Sequence, residues 1–207
     1  MELVGGKKGL KEKMSVKFSS GESEPKMQVL SQDKILVQDI PSRYIVKKDD
    51  LRLVTIGKIL QSLEGCACPM GVLSREFLAK LKLDKDEVAI IDMEAGIEHF
   101  GRGIETSVDS ILVVVEPSFE SLELAAKVKA LASSSGTSRF WAVINKINSS
   151  EIAAKIKEQL NQRGVDVIGV IHYDPEVFEA CFDGRMIAEG KASVEIRSII
   201  NTILINT

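Results

Sequence analysis

Apolar residues fall along this chain in short runs, and between the runs they recur at intervals of three and four. That pattern predicts short strands alternating with amphipathic helices. Strands are expected at 51–56, 88–91, 111–115, 140–144 and 165–171. Helices are expected at 72–81, 121–132, 150–162 and 194–204, with a helical turn at 175–181. Within 121–132, Leu122, Ala125, Val128 and Leu131 share one side. Gly136 and Gly164 stand where helix C-terminal caps belong. Pro117-Ser118 makes a helix start, with Ser118 as the cap. Strand–helix alternation of this regularity predicts an α/β fold, a mostly parallel sheet with helices on both faces.

The opening of the chain breaks the pattern. Residues 1–34 are rich in Lys, Glu, Ser and Gly and show little periodicity beyond a short helical stretch near 10–14. They predict an irregular N-terminal arm, followed by a single domain over 35–207. The 207 residues suffice for one full-sized core.

Composition narrows the function classes. A net charge of −3, with scattered basic residues, supplies no field for nucleic acid, and 5% aromatic residues supply no stacking platform. No apolar run is long enough to span a membrane, and the first residues lack the apolar core of a secretion signal. Three cysteines, two of them separated by one residue, are too few for a disulfide framework, which points to a reducing cytoplasmic setting.

The densest chemistry follows the apolar run Val88-Ala89-Ile90-Ile91. There the chain reads Asp-Met-Glu-Ala-Gly-Ile-Glu-His-Phe-Gly-Arg-Gly over 92–103. A carboxylate ending a buried parallel strand sits where ligands collect, and it can organise a hydrated magnesium ion beside a phosphate. Gly96, Gly101 and Gly103 suit a loop that approaches a ligand or changes conformation. A second signal is Gly65-Cys66-Ala67-Cys68-Pro69. Two thiolates can bind zinc or nickel, but a closed zinc site takes four ligands. A symmetric dimer would bring the count to four; plain buried or redox thiols are the other reading of the pair.

Residues 92–98 resemble the Walker B and switch II region of the MinD-like branch of P-loop ATPases. The longer form, through Gly103, resembles the CooC subgroup, ATP-dependent accessory factors for nickel insertion into carbon monoxide dehydrogenase. The resemblance covers most of the chain from about Ile40 onward. It implies a P-loop NTPase architecture, ATP or ADP with Mg2+ as cofactors, and a homodimer with carbon monoxide dehydrogenase or a related nickel enzyme as client. Asp92 would organise magnesium, with Glu94 and Gly96 sensing the phosphate state. Asn145 and Lys146, at the end of 140–144, match the family's adenine-reading pair. His172-Tyr173-Asp174 matches the loop packed against the base, although His172 stands where relatives commonly carry proline and so keeps a backbone donor. The Cys-X-Cys-Pro pattern at Cys66 and Cys68 implies Zn2+ or Ni2+ held across the dimer.

One part of the family pattern is missing. The 207 residues contain no Gly-Lys-Thr or Gly-Lys-Ser, and Gly5-Gly6-Lys7-Lys8-Gly9 lacks both a preceding strand and a hydroxyl magnesium ligand. The family's first strand and phosphate loop are therefore expected to be lacking, and the chain alone is expected to hydrolyse ATP poorly. Neighbouring strands should then expose apolar faces, with residues 29–37 the local segment best placed to cover them. The competing reading is a non-catalytic dimeric metal-binding or interaction protein derived from the same family. A division-site ATPase of the MinD kind is disfavoured because 194–207 carries only Arg197 as a base, too little for a membrane-binding helix.

Overall fold

The computed structural model describes residues 30–56, 68–93, 97, 100, 103–137 and 139–205, with 68–70 as backbone only. Two compact units divide the chain. The first comprises Met1–Ala95 and Gly101–Ser107, the second Gly96–Phe100 and Val108–Thr207.

The second unit is a three-layer α/β structure. Strands β5 (Ser110–Val115), β6 (Arg139–Ile147) and β7 (Asp166–His172) form a parallel sheet in that order. In register, Leu112 faces Trp141 and Val115 faces Ile144 across β5–β6, and Ala142 faces Val167 across β6–β7. Alternation along a strand sends successive side chains to opposite faces. Ile111, Val113, Val115, Phe140, Ala142 and Ile144 join one core with α2 (Phe119–Ser134) and α3 (Ser150–Gln162). Helix α5 (Lys191–Ile205) covers the opposite face over β7, with Ile199 packed onto Gly169. The shorter α4 (Pro175–Asp183) links β7 to α5.

Local sequence explains where these helices begin and end. Ser118 and Ser149 each accept a hydrogen bond from the backbone N–H three residues on, at 3.1 and 3.3 Å, which satisfies orphan donors of α2 and α3. After α2 the chain turns at Gly136 (φ +84°) and after α3 at Gly164 (φ +71°), a conformation only glycine adopts without steric cost. The expected elements 111–115, 121–132, 140–144 and 165–171 are present, lengthened or shifted by a few residues, and 150–162 has the expected limits.

The first unit differs more from expectation. Its core gathers Leu30, Ile35, Ile40, Ile45 and Phe77. Strand β1 (Ile35–Leu36) pairs in parallel with β4 (Leu81–Lys82), while β2 (Ile45–Lys48) and β3 (Leu51–Val54) form an antiparallel hairpin that turns at Asp49 (φ +51°). Within the expected covering segment 29–37, Ile35 and Leu36 pair with β4. Helix α1 (Cys68–Lys80) precedes β4. Its Lys80 bridges Glu76 at 2.8 Å and the Leu30 carbonyl at 2.7 Å, which fastens Leu30 to the helix.

The predicted buried strand at 88–91 is not formed. Those residues carry no ladder pairing, and Val88 and Ile90 are 68% and 88% exposed. A parallel strand exists only through its neighbours, and among the described residues none pairs with this segment. Strand β5 is an edge among the described residues, and Leu112 and Val114, on the face opposite α2 and α3, are 40% and 55% exposed.

Candidate functional site

Five of the predicted site residues stand together at the carboxyl edge of β6 and β7, the side of a parallel sheet where ligands bind. Between Ile144, opposite Val170, and Ile147, opposite His172, β6 carries one residue more than β7. This bulge places Asn145 and Lys146 at the rim. Lys146 takes the left-handed conformation (φ +57°) and donates its backbone N–H to Asn145 Oδ1 at 2.9 Å. That bond assigns the oxygen end of the Asn145 amide. The Lys146 ammonium meets Glu116 at the end of β5, 2.6 Å away, and the Glu116 N–H donates to Ser121 Oγ at 3.0 Å. This exposed ion pair links the ends of β5 and β6.

At the end of β7, Tyr173 donates its N–H to the Ile147 carbonyl at 2.9 Å, which carries the pairing past the bulge. Asp174 caps two helices at once. Its Oδ1 accepts from Glu176 N at 3.1 Å, and its Oδ2 accepts from Ala192 N at 3.3 Å. Both carboxylate oxygens are therefore committed to the starts of α4 and α5. Asp174 shapes the loop, while Tyr173 is left exposed.

His172 keeps the backbone donor that proline would lack, and the fold uses it. Glu195 of α5 accepts the His172 N–H at Oε2 and meets ring Nδ1 at Oε1, each at 2.8 Å. Sequence reasoning missed Glu195, although a signal was present. At helical spacing it lies between Ala192 and Ile199, both buried, so its carboxylate faces inward.

The other predicted residues are placed differently. Asp92 belongs to the first unit, is exposed and follows no strand, contrary to the expectation of a carboxylate at a strand end. The missing ladder at 88–91 is the physical reason. Glu94, Gly96 and Cys66 lie outside the described residues, and Cys68 is described only as the first backbone position of α1. Among the described residues no group of three or more His, Cys, Asp or Glu could hold a metal, and no helix is long and apolar enough to cross a membrane.

No family model matches the sequence. The chain is 37% identical over 204 residues to an uncharacterized ATP-binding protein of Methanocaldococcus jannaschii, covering 98% of this chain and 77% of that protein. A second uncharacterized ATP-binding protein of the same organism is 40% identical over 172 residues, covering 81% of this chain and 66% of that protein. The carbon monoxide dehydrogenase accessory protein CooC of Rhodospirillum rubrum is 31% identical over 173 residues, covering 81% of this chain and 65% of CooC. The MinD cell division protein of Aquifex aeolicus superposes with a TM-score of 0.44 at 19% identity, over 50% of this chain and 47% of MinD.

A parallel sheet covered by helices on both faces, with polar groups gathered at its carboxyl edge, defines a wound α/β protein of the ligand-binding kind. The chain belongs to the family of ATP-binding proteins that includes the first of these relatives. It spans 66% and 65% of the length of the second relative and of CooC.

Proposed function

We propose that this chain is the switch and base-binding part of an ATP-dependent accessory protein for nickel insertion into carbon monoxide dehydrogenase. The observation that carries the reading is the 31% identity to the carbon monoxide dehydrogenase accessory protein over 81% of the chain, joined to the Cys66-X-Cys68 pair. Asn145 on its bulge, with His172 on the neighbouring strand, holds the adenine edge, since an amide and an imidazole offer donors and acceptors to it. Asp92 organises Mg2+ with the phosphates, and Glu94 and Gly96 respond to the γ-phosphate. Loops of this kind order around that group and relax after its loss. Cys66 and Cys68 of two copies hold Zn2+ or Ni2+ at a twofold axis, the metal being cargo. The homodimer, the client enzyme and a cytoplasmic location belong to this proposal.

A second reading is favoured by one specific observation. The 207 residues contain no Gly-Lys-Ser or Gly-Lys-Thr, the pattern by which a phosphate loop cradles a triphosphate. On that reading the chain is a dimeric metal-binding or interaction protein that does not hydrolyse ATP. Metal content and mass in solution test the shared core of both readings. Wild type should bind one Zn2+ or Ni2+ per two chains and sediment as a dimer. The Cys66→Ser/Cys68→Ser double variant should lose the metal and shift toward monomer. Unchanged stoichiometry in that variant removes the thiol site. ATP turnover by the 207 residues, measured beside it, separates the two readings.

A further inference from the structure

We infer that the outer face of α4 is a docking surface for a cationic, amphipathic segment of another protein, anchored on a pair of stacked phenylalanines and steered by the carboxylates beside them. None of its residues is among those assigned to nucleotide or metal, and its occupancy needs no nucleotide.

Helix α4 is apolar on two sides. On the inner side Ala180 is buried and Val177 half-buried. Phe178 and Phe182, one turn apart, project from the other side. They are 59% and 83% exposed, and their rings stack with centroids 6.4 Å apart and planes 16° from parallel. Met186, 78% exposed, and Ile187 carry the apolar run along the chain beyond the helix. Single exposed apolar residues are ordinary, whereas a cluster of large ones marks a surface that a partner covers.

The polar residues around the rings define that partner. Glu179 and Asp183 each follow a phenylalanine, and Glu176 stands one turn before Glu179. Arg185 is the base that answers these three carboxylates. It commits its guanidinium to Glu176 at 2.5 Å and reaches Glu179 and Asp183 at 3.9 and 3.7 Å. Those two carboxylates stay largely exposed, and three acids against one base leave the face net negative. Like charges oppose a second copy presenting the same face, and they oppose anionic lipid and nucleic acid equally. A cationic partner is drawn in by them. Its Lys or Arg pairs with Glu179 and Asp183 and lies over the exposed ring faces. Its apolar side must meet two rings one helical turn apart, which leucines at three- and four-residue spacing do.

Synthetic peptides of about 15 residues, titrated against the 207-residue chain, test the proposal. One sets leucine and lysine in an amphipathic helical pattern. A second keeps every leucine and replaces lysine by glutamine, and a third replaces it by glutamate. Binding is read by calorimetry and by the NMR ring signals of Phe178 and Phe182. The lysine peptide should bind about tenfold or more tighter than the glutamine peptide, with the advantage shrinking in high salt. Glu179→Lys/Asp183→Lys should reverse the order and favour the glutamate peptide. Phe178→Ser/Phe182→Ser should weaken the lysine peptide by about tenfold or more. All four side chains are exposed, so both variants should keep the urea midpoint of wild type. A lysine peptide bound no better than the glutamine peptide, or bound equally by wild type and either double variant, overturns the proposal. So does a concentration-dependent dimer, or adsorption to phosphatidylglycerol vesicles, that the phenylalanine variant abolishes, because the face then belongs to a second copy or to lipid.

Discussion

Replacing Gly169 by alanine measures how closely α5 is seated on the sheet, and hence how firmly Glu195 is held against His172. A Cβ built on Gly169 stands 2.3 Å from Cγ1 and 2.7 Å from Cδ1 of Ile199. Comfortable carbon contacts lie at roughly 3.5–4 Å, so the overlap exceeds 1 Å. Ile199 is buried and branched at Cβ, and its Cγ1 cannot swing away without leaving a favoured rotamer. Either the ring of contacts around it or the helix itself must move. Overpacking of this kind costs about 1–3 kcal/mol. Gly169 does not hold a positive φ, so alanine regains about 0.4–1 kcal/mol by restricting the unfolded chain. The expected net loss is about 1–2 kcal/mol. Urea unfolding followed by Trp141, the only tryptophan, reads this unit because Trp141 lies in β6 opposite Asp166. Ile199→Ala alone should cost about 2–5 kcal/mol through the cavity it leaves. In the double variant the new methyl occupies that space, so the loss should fall short of the sum by about 1 kcal/mol or more. A Gly169→Ala change within about 0.5 kcal/mol of wild type, or strict additivity in the double variant, refutes the close seating.

Three further outcomes follow from the same edge. Asp174→Ala removes caps from α4 and α5 together and should cost about 2 kcal/mol in the same urea assay, with Asp174→Asn costing about half because its oxygen still caps α4. Lys146→Gly should leave stability within about 1 kcal/mol, since glycine accepts the left-handed backbone while only an exposed ion pair is lost. Lys146→Pro should cost about 3 kcal/mol, because proline can neither adopt that φ nor donate to Asn145. The hydrogen bond from Arg185, 2.5 Å away, holds the Glu176 carboxyl below its ordinary value. A depressed folded value means the pair stabilises the fold above the unfolded Glu value and ceases to do so as pH falls through the folded one. Arg185→Gln should therefore shift the Glu176 side-chain 13C titration upward, and its stability deficit at neutral pH should vanish in acid.

The second unit was legible because local signals and periodicity agree there. Ser118, Gly136 and Gly164 mark helix ends by mechanisms that need no tertiary partner, and residues 150–162 appear as a helix with the expected limits. The first unit was less legible. Residues 88–91 have the composition of a strand, yet strand formation is decided by neighbours that a local pattern cannot reveal. Strand β2 was missed because Lys47 and Lys48 mask its pairing with β3, while Asp49 in the left-handed region makes the turn. Asn145 and His172 were singled out through the family resemblance of the residues that end their strands. The bulge that presents Asn145 and the carboxylate that orients His172 arise from pairing across β6–β7 and from α5 packing, and neither is written in a local motif.

Whether an adenine nucleotide occupies the β6–β7 edge is most directly tested by 1H–15N correlation spectra of the chain titrated with ATP and Mg2+. Saturable shifts concentrated at Asn145, Lys146, His172 and Tyr173 are the predicted result. Shifts that never saturate, or that gather elsewhere in the chain, would contradict the account.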